Sequence, residues 1–152
     1  AGSSQRLDTL YYIPGANHST LSAYFLQPGD EDFRPMFSIQ DVKVQTLDTI
    51  FSEHAQIPIH FLNIDVGGSE KDVLEGLNLK RWRPWIIMVN TLQNNFPRKT
   101  ETLWESLVTH ANYHQVYRDG VNLFFVADEF RNLDQHFQLP PNYLDDFILV
   151  VN

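Results

Sequence analysis

Between Ile57 and Asn90 the chain reads IPIHFLNIDVGGSEKDVLEGLNLKRWRPWIIMVN, and this stretch leaves little choice of fold. An apolar run, Phe61 to Ile64, ends on an acidic tip at Asp65. Gly67-Gly68 then turns the chain, and Val73, Leu74 and Leu77 give the next segment an apolar helical stripe. A Trp/Pro turn leads into a second apolar run, Trp85 to Val89. Strand, turn, helix and strand in that order predict an α/β sheet whose polar groups collect where strands end, the edge at which open α/β sheets bind ligands.

The flanking segments extend the pattern. Leu10 to Ile13 predicts a short strand stopped by Pro14-Gly15, within an otherwise irregular segment 1–38. Ser19 to Phe25 fits a helical turn or a short strand. Val42 to Leu47 alternates and is β-branched, which predicts a strand. Asp48 is the expected N-cap of a helix over Thr49–His54, and Ser69 with Asp72 makes a capping-box-like pair for the next one. A helix is expected over Glu101–Asn112. A hairpin follows, with Tyr113–Tyr117 and Leu123–Val126 joined at Asp119-Gly120. Glu129–Phe137 reads as a short amphipathic segment, and an apolar tail follows Pro140-Pro141. The expected fold is a single α/β domain with a mostly parallel sheet and an antiparallel strand at one edge.

Composition narrows the function. A chain of 152 residues suits one domain, which at this size buries roughly two thirds of its unfolded surface. A formal net charge of -8 argues against a nucleic-acid or anionic-membrane partner. No run approaches the ~20 apolar residues that span a bilayer, and no secretory leader is visible at the start. The chain has no cysteine, which excludes thiol chemistry and fits a reducing, cytoplasmic setting. Ala1 to Ser4 reads as a tag remnant or a native loop. Asn17-His18-Ser19 matches a glycosylation triplet, but nothing else in the sequence looks secreted.

Several separated motifs resemble one family. They are Thr46-Leu47-Asp48, Phe61 through Gly76, Arg83 through Ile87, Trp104-Glu105, Asp119 through Val126, and Pro140 through Phe147. In this order they resemble the C-terminal half of FkbM-type methyltransferases, over residues 42–147. The resemblance implies part of a Rossmann-like class I sheet and S-adenosylmethionine as methyl donor to hydroxyls of small molecules or sugars. Two departures stand out. No G-x-G-x-x-G-like run occurs anywhere, so the family's cofactor-binding start has no counterpart. The family's charged positions are also neutral here: Asn63 for a Lys, Gly67 for a Glu and Asn90 for a Glu.

The candidate catalytic residues are therefore Asp65 and Glu70. Asp65 would orient a hydroxyl or act as a base; the plainer reading is a turn-stabilising carboxylate. Glu70 would equally serve a helix start. Asn63 and Asn90 are candidate substrate contacts, although the bland expectation is that they satisfy each other across adjacent strands. No histidine spacing predicts a metal site; His110 and His114 are four apart but are expected to straddle a helix end. Trp82, Trp85, Trp104, Phe124 and Phe125 read as core.

Two functions compete: an S-adenosylmethionine-dependent O-methyltransferase completed by another part, or a non-catalytic binding module derived from one. If the cofactor half is absent, the strand ending at Asp65 becomes an apolar sheet edge. That edge predicts a homo-oligomer, or cover by a partner or by residues 7–13.

Overall fold

A computed structural model describes residues 1–12, 19–20, 38–55, 58–93, 96–97 and 103–138. In chain order the elements are β1 (Arg6–Tyr12), β2 (Ser19–Thr20), β3 (Ser38–Val44), α1 (Leu47–His54), β4 (Phe61–Ile64), α2 (Glu70–Glu75) and β5 (Ile86–Asn90). After these come β6 (Leu92–Gln93), β7 (Phe96–Pro97), α3 (Glu105–Thr109), β8 (Tyr113–Arg118), β9 (Asn122–Ala127) and a 3₁₀ segment (Asp128–Phe137) kinked at Phe130. The expected apolar tail, and most of the 19–25 stretch, lie outside the described residues.

The central sheet has the order β4-β5-β9-β8. β4 and β5 are parallel; β9 runs antiparallel to both β5 and β8. Two expectations are corrected here. Counted by hydrogen-bonded pairs, this sheet is more antiparallel than parallel, and its antiparallel strand is interior. The cause is the Asp119-Gly120 hairpin, which folds β9 back between β5 and β8. A second sheet, β2-β1-β3, is antiparallel throughout and was not foreseen. Its β1 is seven residues long where a short strand in an irregular segment was expected.

Register places the core. Ile64, Val89 and Leu123 lie in one row across the sheet, with Ile87 and Phe125 in the next. These residues are buried and pack with Val73 and Leu74 of α2, Val108 of α3, and Trp104. Burying each such side chain contributes about 1.5–3 kcal/mol. The opposite face carries Asn63, Met88 and Phe124 in one row, and Asn90 and Asn122 in another. The 3₁₀ segment covers its β9 side, with Phe137 against Phe124 and Phe130 stacked on Trp85 at 4.7 Å. His114 on β8 ties that segment down. Its two ring nitrogens lie 2.9 Å from Asp128 and 3.0 Å from Asp134. Among the described residues no element covers the β4 side of this face, and Phe61 is 51% exposed.

Local chemistry differs from expectation at two helix starts. Thr46, not Asp48, caps α1: its Oγ1 accepts the Thr49 N–H at 3.1 Å. Asp48 lies inside the helix and accepts the Asn78 N–H at 2.7 Å, joining α1 to the chain after α2. Ser69 holds the N-cap position of α2 without a side-chain bond. Asp72 turns away from it to Ser3 and Arg6. The N-terminal residues are consequently part of the packing. Gly2 is buried, and its N–H donates to Gln45 O at 3.0 Å.

Candidate functional site

The parallel pair β4–β5 sets the site. Alternation turns Leu62 and Ile64 into the core and Asn63 to the opposite, solvent-facing side. Asp65 follows the last paired residue of β4, and Asn90 follows Val89, the partner of Ile64. Asp65 and Asn90 thus stand at neighbouring strand ends. Asp65 and Asn63 are both exposed.

Glu70 belongs to a different environment. It is 1% exposed, and its Oε1 accepts the Gly68 N–H at 2.9 Å. This carboxylate closes the Gly67-Gly68 turn from inside the first turn of α2, whereas Asp65 faces solvent. The two acids differ in both exposure and bonding.

Asn63 and Asn90 do not satisfy each other. Asn63 is opposite Met88, two residues short of Asn90. Asn90 instead donates through Nδ2 to Asn122 Oδ1 at 3.2 Å. A four-residue strand paired in this register cannot bring the two amides level, which is why the expectation fails.

Asp119 and Asn122 were read as part of a hairpin and of a family motif, not as site residues, yet they frame the site. Asp119 Oδ1 accepts the N–H groups of Val121 at 2.9 Å and Asn122 at 2.6 Å, and its Oδ2 accepts Asn122 Nδ2 at 2.8 Å. A carboxylate only accepts, so Asn122 must turn its amide nitrogen to Asp119 and its oxygen to Asn90. Asn90 must then offer its own nitrogen to Asn122. One acid in the turn thereby fixes the orientation of two amides. Beside them, Thr91 is buried and its Oγ1 donates to Val121 O at 2.9 Å. The available signal was the spacing Asp119-Gly120-x-Asn122, where an acid before a tight turn is followed by an amide on the returning strand.

Chemically, these strand ends combine an exposed carboxylate with oriented amides. That set can accept hydrogen bonds from a hydroxyl-bearing ligand and can receive a proton at Asp65.

The chain matches the family model for the methyltransferase FkbM domain over residues 2–135. This match starts well before the motif region and ends before Pro140 to Phe147. No curated protein and no solved structure matches significantly. No helix among the described residues is long and apolar enough to cross a membrane. With the family match spanning most of its 152 residues, and with the strand-end acid Asp65, the glycine at position 68 and the Asp-Gly hairpin among the motifs that carry the likeness, the chain belongs to the FkbM methyltransferase domain family.

Proposed function

We propose that this chain forms the acceptor side of an S-adenosylmethionine-dependent O-methyltransferase domain, a partial Rossmann-like sheet that does not hold the cofactor by itself. The observation that carries this reading is the position of β4. Its polar end bears Asp65, but among the described residues its outer edge pairs with no strand. The described residues also fit the cofactor poorly. Backbone amides of a glycine turn are what such a site offers to a ligand. In the only Gly-Gly turn of this sequence, the Gly68 amide is already bonded to Glu70.

Within this reading, Asp65 is the residue that would receive a hydrogen bond from the acceptor hydroxyl. Asn90, held by Asn122 and Asp119, would orient it. Glu70 serves the turn. Asn63 and Asn90 keep polarity without charge, which lowers the electrostatic stabilisation this edge can supply. Calorimetric titration of the chain with S-adenosylhomocysteine tests the proposal. No binding heat is expected, and micromolar binding by the chain alone would sink it. A second reading, an active enzyme once another chain completes the sheet, is favoured by the same open edge.

A further inference from the structure

We propose that the 3₁₀ segment beyond its kink at Phe130 is a flap, held shut by the charged form of His114 and released when that ring loses a proton. The device rests on the geometry around His114 and stands apart from the methyltransferase reading.

Both ring nitrogens of His114 meet acids of the segment. Nδ1 lies 2.9 Å from Asp128 Oδ1, and Nε2 lies 3.1 and 3.0 Å from the two oxygens of Asp134. A carboxylate offers only acceptors, whereas a neutral imidazole has one donor and one acceptor. Both contacts are hydrogen bonds only when both nitrogens carry hydrogen, as they do in the imidazolium. In either neutral tautomer one nitrogen lone pair faces carboxylate oxygens. One bond is then lost, and repulsion takes its place.

The surrounding charges decide which contact gives way. Asp128 has a second cation, with Arg131 Nη2 donating to it at 2.6 Å, and its backbone N–H donates to Asn112 O at 3.0 Å. Among the described residues Asp134 bonds to no cation but His114. Glu129 is turned to Arg83, and the Tyr113 hydroxyl to Pro84 O. His136 of the segment, Glu105 and His110 of α3, and Arg118 at the end of β8 are the other titratable or charged groups on the elements around the ring; β9 has none. With His114 charged, two cations face two acids. With it neutral, Asp134 is left unbalanced.

Packing sets where the segment parts from the sheet. Before the kink, Phe130 stacks on Trp85 and Glu129 bonds to Arg83. Phe130 itself has non-helical backbone, φ -116° and ψ 28°, which separates the two halves. Beyond it, the polar tie to the sheet is the Asp134–His114 bond, and Phe137 lies on Phe124 with ring centroids 5.8 Å apart. Release of this half uncovers Phe124, which shares a cross-strand row with Met88 and Asn63 and stands two residues from Asn122. The flap therefore controls apolar surface beside the strand-end amides.

The chain has no cysteine, so Gln135→Cys gives one exposed attachment point on the flap for a trifluoromethyl tag. Histidine is the side chain that ordinarily changes charge between about pH 5 and about pH 8. As pH rises through that range, the fluorine resonance should pass from an immobile to a mobile tag. Loss of a charge-assisted bond should raise the open-to-closed ratio roughly tenfold or more. The nitrogen shifts of the His114 ring, followed in the same samples, should change with the same midpoint. Two variants separate the clamp from the other histidines. In His114→Gln the tag should be mobile at both ends of the range. In Asp134→Asn the amide accepts from a protonated Nε2 and donates to a bare one, so the flap should stay shut throughout. Circular dichroism checks that each variant keeps its fold. A tag whose mobility ignores pH overturns the proposal. A pH response that survives in His114→Gln overturns it too and assigns the change to another group, such as His136. An unchanged response in Asp134→Asn does the same.

Discussion

Gly67 and Gly76 flank α2 and are required for opposite reasons. Gly67 has φ +62°, and a Cβ there meets nothing within 4 Å. Any other residue pays only for the left-handed backbone, about 1–2 kcal/mol. Gly76 has an ordinary φ of -86°, but a Cβ there would sit 2.1 Å from the carbonyl oxygen of Gly2. That obstacle is backbone and cannot swing aside. Gly67→Ala should therefore lower stability by about 1 kcal/mol with the structure unchanged. Gly76→Ala should cost more, about 1–3 kcal/mol, and displace the N-terminal residues. Urea unfolding checks the first, and loss of amide protection at Gly2 and Ser3 checks the second. The same geometry bears on the family comparison: restoring a Glu at position 67 returns a charge but adds backbone strain, so lost stability and regained charge must be measured separately. The sequence made the Gly-Gly turn and the acidic tip at Asp65 legible, because both depend on neighbours in the chain. It hid the partner of Asn90, because an offset of two residues between β4 and β5 decides which amides meet.

The link between α3, β8 and the 3₁₀ segment depends on Arg83. Its Nη1 donates to Ala111 O at 2.6 Å, its guanidinium lies 4.5 Å from the Tyr113 ring centroid, and its Nε donates to Glu129 at 2.8 Å. The hydrogen bond from Arg83 holds the Glu129 carboxyl below its ordinary value of 4.5. A carboxyl depressed on folding contributes stability that is present above its unfolded value. That contribution is lost as pH falls through the lower folded value. The Glu129 side chain is 46% exposed, so solvent screening keeps the effect small. Urea midpoints from about pH 6 to about pH 3 should fall more steeply for the native chain than for Glu129→Gln. Equal slopes would show that the ion pair contributes nothing to acid sensitivity. Burial meanwhile pushes the Tyr113 hydroxyl well above its ordinary value, and it donates to Pro84 O at 2.8 Å. Elements were read more reliably than their ends. α1 is close to its expected span, yet its cap is Thr46, because capping depends on which hydroxyl reaches the Thr49 amide. The Asp128–Phe137 segment was recognised by its amphipathic pattern, but nothing local indicated that both ring nitrogens of His114 would hold it to β8.

At the scale of the whole molecule, the two larger sheets differ in how they are supported. β5 and β9 are interior strands whose Ile87, Val89, Leu123 and Phe125 are buried completely. β1 and β3 lie mainly against each other, with Leu7 81% and Ile39 67% exposed. Val44 and the bonds of Gly2, Ser3 and Arg6 anchor one end of this ribbon to the rest. The central unit was legible because its apolar runs are long and its turns carry glycine. The ribbon was legible only as two partial strands, Leu10 to Ile13 and Val42 to Leu47, and its pairing was not, because β1 pairs with a strand more than 25 residues away and its half-exposed residues show no strong alternation. Burial should set the order in which the sheets open. In native-state hydrogen exchange, amides at Ile87, Val89, Leu123 and Phe125 should exchange only through global unfolding, with one common free energy and a denaturant slope equal to that of global unfolding. Amides of β1 and β3 should exchange through a smaller opening, with lower free energy and shallower slope. Within the ribbon, protection should rise from Tyr12↔Ser38 toward Arg6↔Val44, the anchored end. Equal protection in both sheets would mean that the ribbon is part of the cooperative core, despite its exposed apolar residues.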